Sequence, residues 1–155
     1  MDGILEACAG QPVAHFEPRD RLVLENDPLD AMFVLIEGEL DVVRGGVPIL
    51  TISAPGAMVG EMSALLGKPY SATVQARSRA TAYRIDAPGT FLAERPVLLL
   101  QTAQLLAQRL DNATAYLSAL KAENGGRDGP FGGIDAVLGT LMSQARSKLD
   151  DRQEE

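Results

Sequence analysis

Pro55-Gly56-Ala57-Met58-Val59-Gly60-Glu61-Met62-Ser63-Ala64-Leu65-Leu66-Gly67-Lys68-Pro69-Tyr70-Ser71-Ala72-Thr73-Val74 is the stretch on which the fold turns. A turn at Pro55-Gly56 leads into a short apolar strand that ends at Gly60. A single helical turn then spans about Glu61 to Leu66, Gly67 caps it, and a strand resumes at Ser71. A helix start preceded by glycine leaves backbone N–H groups without helical partners, and such groups favour a bound anion. Glu61 is able to accept hydrogen bonds from sugar hydroxyls, and Ser63, Ser71 and Thr73 bring small hydroxyls to the same cradle. Two plainer readings stand beside these. Glu61 complements the dipole of its short helix in any case, and Ser71 and Thr73 satisfy strand-end backbone in their commoner use.

Outward from this stretch the pattern is one of short strands. Arg21-Leu22-Val23-Leu24 is β-prone, and Asn26-Asp27-Pro28 punctuates it. Met32-Phe33-Val34-Leu35-Ile36 reads as a nearly continuous buried strand that Gly38 breaks. Leu40–Arg44 and Val47–Ile52 flank Gly45-Gly46, a two-residue hairpin signal that supplies positive φ at low cost. Residues 72–77 and 80–85 are expected to form a last pair across Ser78-Arg79. Many short strands with frequent turns predict a mainly β chain with helices, built as a sandwich, a barrel or a jelly roll.

After Pro88-Gly89 the period becomes helical. A helix is predicted to begin near Thr90 or at Pro96 and to run to residue 123. Leu99, Ala103, Leu106, Leu110, Ala113, Leu117 and Leu120 alternate spacings of four and three, the seam of a coiled coil, which predicts homodimerisation through helix 96–123. Leu98, Leu100 and Leu105 lie off that seam and suggest that the first part packs on its own roll. Residues 124–133 read as a Gly-rich linker, and 134–155 as an amphipathic helix (Ile134, Val137, Leu138, Leu141, Met142, Ala145, Leu149) with an acidic tail. The stripe over 134–149 needs a partner surface, such as another protein. The predicted organisation is thus a domain over 1–123, the linker, and the C-terminal segment.

The chain's 155 residues suit one domain with a proper core. Its formal net charge of -7 repels a nucleic-acid backbone unless basic residues gather on one face. Residues 124–155 hold four basic against six acidic side chains, and one amphipathic segment is too little for a helix-turn-helix, so nucleic-acid binding is not expected. Cys8 is the one cysteine, which excludes an internal disulfide, and a small buried or capping role suits it. No apolar run reaches bilayer length and no leader is legible, so a cytoplasmic protein without membrane contact is expected. His15 is the single histidine, and no metal-ligand spacing, P-loop or Gly-x-Ser-x-Gly elbow occurs. The expectation is a non-enzyme with no catalytic residue, no metal and no resident cofactor.

At residues 55–74 the chain resembles the cyclic-nucleotide-binding domain family, whose phosphate-binding cassette runs Gly-Glu, a short apolar helix, then Pro-Arg-Ser/Ala-Ala-Thr. The resemblance extends over roughly Phe16 to Leu120 and includes Gly38, Pro55-Gly56 and Gln108-Arg109-Leu110. It implies a sensor in which Glu61 holds the ribose 2′-hydroxyl, while the helix amides and Ser71 hold the cyclic phosphate. The implied fold is an antiparallel β-roll or jelly roll, with Val59, Gly60, Met62, Ser63, Lys68, Tyr70, Ala72 and Thr73 also in its ligand pocket. Relatives like the bacterial catabolite activator reach the base with a Thr-Ser pair shortly after the Arg-Leu; here the corresponding pair is Ala113-Thr114. The implied ligand is cyclic AMP, cyclic GMP or a related phosphate.

One position departs. The family's phosphate-pairing arginine is Tyr70 here. A phenol supplies neither the charge nor the donor fork of a guanidinium. Removing one partner of a buried charge pair costs about 2–5 kcal/mol, or about one and a half to three and a half powers of ten in affinity. Lys68 would share Tyr70's side of an extended chain and supply a looser positive charge, or Tyr70 itself stacks on a base or fills the pocket. Three functions follow: a sensor that signals through its C-terminal helix, a ligand-free dimerisation and interaction module, or a relative of transcription regulators without their DNA-binding domain.

Overall fold

The computed structural model describes residues 2–123, Gly133 and Ala136. The expected linker and C-terminal segment lie outside the described residues, those two excepted. Among the described residues, eight strands form in order: β1 (Val13–Phe16), β2 (Arg21–Val23), β3 (Met32–Glu37), β4 (Leu40–Arg44), β5 (Val47–Ile52), β6 (Met58–Val59), β7 (Thr73–Ala76) and β8 (Ala80–Ile85). Four helices accompany them: α1 (Asp2–Ala7), α2 (Glu61–Leu66), α3 (Pro88–Ala93) and α4 (Pro96–Glu123). The strands make two antiparallel sheets, β1-β8-β3-β6 and β2-β7-β4-β5, the interleaved order of a jelly roll. The expected fold class holds.

The apolar run of β3 is continuous because both faces of its strand are covered. Phe33 and Leu35 point into a core shared with Val23, Leu40, Val59, Val74 and Ala82, contributed by both sheets. Met32 and Val34 point the other way, into a core with Met58, Ile85 and the helical residues Ile4, Cys8, Phe91, Leu92 and Leu98. Period-two alternation thus divides one strand between two cores. The β4–β5 hairpin turns on Gly45 and Gly46, both at positive φ, with Arg44 opposite Val47. This is the primed turn that the pair predicts.

The expected β7–β8 pair does not form. β7 pairs with β2 and β4, whereas β8 pairs with β1 and β3 in the other sheet. The chain changes sheets at this corner, where the amides of Arg77 and Ser78 both donate to the Glu39 carbonyl, at 2.8 and 3.4 Å. The β3–β4 connection changes sheets at the same corner, so the two crossings press together at Gly38. A Cβ there would lie 2.3 Å from the Arg79 carbonyl oxygen, and the backbone sits at φ +100°.

Other differences are local. α1 is too short to show helical periodicity and was not anticipated. The expected single helix start near Thr90 or Pro96 resolves into two helices, because Pro88 and Pro96 each open a first turn. β7 starts at Thr73, two residues later than the sequence suggests. Leu98 packs on the roll as expected, together with Thr102, whose hydroxyl donates to the Leu98 carbonyl at 2.8 Å. Leu100 does not: two residues on, it stands on the opposite side of the helix and is 59% exposed.

The chain divides into two compact units, Met1–Thr102 and Ala103–Glu155. The first holds the roll, α1 to α3 and the opening turns of α4. In the second, Leu110 and Tyr116 are exposed, and Gln108 Nε2 donates to Asn112 Oδ1 at 3.1 Å.

Gly38→Ala is expected to lower unfolding free energy by at least about 2 kcal/mol in urea titration, since it combines strained φ with a backbone clash. An unchanged midpoint would contradict the corner packing. Cys8 is fully buried, and burial pushes its thiol pKa up, partly opposed by the nearby Arg95 charge. Low thiolate character and no access predict that a thiol reagent labels Cys8 only at the rate of global or local unfolding.

Candidate functional site

The candidate site begins where β6 ends. Gly60 takes φ +90°, and a Cβ added to it would stand 3.2 Å from the Ala31 carbonyl oxygen and 3.2 Å from the Tyr70 ring. The positive φ favours glycine here, and the space for a side chain is tight. The Ala64 amide closes the first helical bond onto the Gly60 carbonyl at 3.0 Å. The amides of residues 61–63 precede that bond, as the first N–H groups of any helix must. Glu61 opens α2 and is buried, as is Ser63, whereas Met62, Leu65 and Leu66 face solvent.

Gly67, at φ +63°, ends α2 and donates to the Ser63 carbonyl at 2.9 Å. The Ser63 hydroxyl donates to the Pro69 carbonyl at 3.2 Å, which ties the helix to the returning chain. Tyr70 then turns inward and is 5% exposed. Its phenolic oxygen accepts from the amides of Asp30 and Ala31, at 3.0 and 2.9 Å, and donates to the Ala31 carbonyl at 2.6 Å. Its backbone joins the same loop: the Tyr70 amide donates to Asp27 at 3.0 Å, and its carbonyl accepts from Asn26 at 2.9 Å. Asp30 is itself held from β8 by Arg84, at 2.9 Å, and this pair together with Asp86 raises the guanidinium's already high pKa.

The expectation that Lys68 and Tyr70 share a side fails. The chain between Gly67 and Thr73 is not a strand, so Lys68 faces solvent while Tyr70 enters the inter-sheet core. A stacking role for Tyr70 on an exposed base does not fit that burial. Ser71 is exposed and Ala72 half-buried. Thr73 Oγ1 accepts from the Glu25 amide at 3.0 Å, the strand-end use that the sequence offered as its plainer reading. Val59 and Tyr70 share one core, and Gly60 lies against the Tyr70 ring. Thr114 belongs to the second unit, where its hydroxyl donates back to the Leu110 carbonyl.

Sequence reasoning missed the loop of residues 26–31 as part of this site. Its contacts to Tyr70 span some forty positions of chain and leave no local signal. Among the described residues, every buried side-chain nitrogen or oxygen has a hydrogen-bond partner, and no group of three His, Cys, Asp or Glu converges on a metal-sized site. No helix among them is long and apolar enough to cross a membrane. Thr73→Val keeps the strand-forming shape but leaves the Glu25 amide without its acceptor, and a loss of about 1 kcal/mol in unfolding free energy is expected. Full wild-type stability would mean that water replaces the hydroxyl without cost.

Comparison with known proteins agrees with this geometry. The sequence profile of the cyclic nucleotide-binding domain matches residues 13–92. The CRP-like cAMP-activated global transcriptional regulator of Mycobacterium tuberculosis is 33% identical over 110 residues, which cover 66% of this chain and 49% of that protein. An uncharacterized ABC transporter ATP-binding protein of the same organism is 46% identical over 57 residues, 34% of this chain and 17% of the other. The chain thus spans about half, or less, of the length of these relatives. Among solved structures, the catabolite activator protein of Thermus thermophilus superposes with a TM-score of 0.66 at 22% identity, covering 79% of this chain and 61% of that one. Jelly-roll topology, the Gly60-Glu61 cassette between β6 and β7, and a profile match over more than half of the sequence together make this chain a member of the cyclic nucleotide-binding domain family.

Proposed function

We propose that the chain is a regulatory sensor module that takes a cyclic nucleotide, cyclic AMP or cyclic GMP, or a related phosphate, at the cassette of residues 59–73. The observation that carries this reading is the cassette itself. A left-handed Gly60 launches α2, Glu61 stands at its first turn, and Ser71 lies exposed on the return. In this reading the leading amides of α2 and the Ser71 hydroxyl meet the phosphate, and Glu61 meets the ribose. α2 lies against α3, so a cassette that tightens on ligand has a direct neighbour through which to shift the helices that follow. The output is a homodimer through helix 96–123, in the cytoplasm, with residues 134–149 available to a protein partner and no nucleic acid involved.

A second reading is favoured by Tyr70. Its phenol is neutral and already bonded to backbone, so the cassette lacks the charge that the family's arginine brings to the phosphate. The module would then act without ligand, as a dimerisation or protein-interaction domain. Lys68, exposed beside the cassette, is the nearest cation in sequence that a phosphate could recruit.

Calorimetric titration with cyclic AMP and cyclic GMP separates the two. The sensor reading expects saturable binding, weaker by about one and a half to three and a half powers of ten than an arginine-bearing cassette would give. Glu61→Ala should abolish that binding and the accompanying rise in Tm. No heat and no Tm shift at millimolar nucleotide would overturn the sensor reading in favour of the ligand-free module.

A further inference from the structure

Several of the bonds that seat residues 60–73 on the roll converge on one residue, Tyr70, through both its side chain and its backbone. Three segments distant in sequence meet at Tyr70: the start of β3 at Ala31, the entry to α2 at Gly60, and the chain returning from α2. A tyrosine hydroxyl has one proton to donate and two lone pairs to accept with. All three are used, on Asp30 N–H, Ala31 N–H and the Ala31 carbonyl. In this arrangement the hydroxyl has no capacity left for a ligand.

The geometry points to Tyr70 as a positioning residue: its phenol clamps the cassette onto the loop before β3, so the placement of the cassette is set from inside the chain and not by a bound anion. The inference rests on the proposed function only in identifying residues 59–73 as the ligand cassette. The ring packs against Gly60, where an added Cβ would stand 3.2 Å from it, a tight contact, and the Tyr70 backbone pairs with Asn26 and Asp27. Hydroxyl and main chain of one residue therefore bind the same loop, while its ring lies against Gly60 at the entry to α2. The position that resembles the family's phosphate-pairing arginine has become architectural. A tyrosine used only as core filler would need the ring alone; the clamp needs the hydroxyl, and the hydroxyl is what a test removes.

The test is amide hydrogen exchange, followed by NMR on the full chain without nucleotide, comparing wild type with Tyr70→Phe. The clamp predicts that the amides of Asp30 and Ala31 exchange at least about tenfold faster in the variant, which is a loss of about 1.4 kcal/mol in protection. It also predicts that the amides of Gly67 and of residue 70 accelerate in step, because the cassette opens as a unit. Acceleration confined to Asp30 and Ala31, or none at all, overturns the inference. Should the variant not fold, the wild type decides: a slowly exchanging Tyr70 hydroxyl proton with cross-peaks to both amides supports the clamp, and a freely exchanging hydroxyl refutes it. A chain that ignores cyclic nucleotides yet shows coupled acceleration loses the sensor reading and keeps the clamp. A chain that binds them with unaltered exchange keeps the sensor reading and loses the clamp.

Discussion

A buried phenol that bonds to the Asp30–Ala31 backbone is the junction that joins α2 and the returning chain to the loop before β3. The two amides it accepts from lie where the chain enters β3, the strand whose two faces serve both cores. Left without an acceptor, a buried amide such as that of Ala31 costs about 1–3 kcal/mol. The three bonds to the hydroxyl are therefore a sizeable part of what holds the loop, α2 and the returning chain in one arrangement. The ring adds apolar burial in the inter-sheet core, beside Val59 and Val74.

The same junction frames the functional question. A guanidinium at residue 70 would bring charge to a phosphate and would demand an anion in return. A phenol brings neither and is content with backbone. The family's fold is present, with Gly60 and Glu61 at the start of α2, while residue 70 carries a phenol with internal hydrogen bonds in place of a guanidinium. That exchange is compatible with a weak or chemically altered ligand, and with a module whose helix acts unaided.

The strands were legible because alternation and turn chemistry are local. Gly45-Gly46 and Pro55-Gly56 fall where turns form, and the unbroken Met32-to-Leu35 run correctly announces a strand covered on both faces. Strand partners were not legible in the same way. Residues 72–77 and 80–85 look like a hairpin, yet they enter different sheets, because Ser78 and Arg79 make a corner locked by Gly38 from the β3–β4 connection about forty residues upstream. Period and propensity carry no information about such a contact. The cassette was legible through its glycines and Glu61, and Tyr70 was visible as a departure. What Tyr70 does instead was hidden, since its partners are distant in sequence and are main-chain groups that any residue could supply. Lys68 was misplaced for a related reason: Gly67, in the left-handed region directly after α2, changes which way each following side chain faces.

The central claim is that the Tyr70 hydroxyl, and not a ligand, fastens the cassette to the loop before β3. A high-resolution crystal structure of the ligand-free chain tests it most directly. The account predicts an ordered segment over 60–73, with the phenolic oxygen about 3 Å from the amides of Asp30 and Ala31. A Tyr70 side chain turned out to solvent, with that loop's amides facing water or other partners, would contradict it.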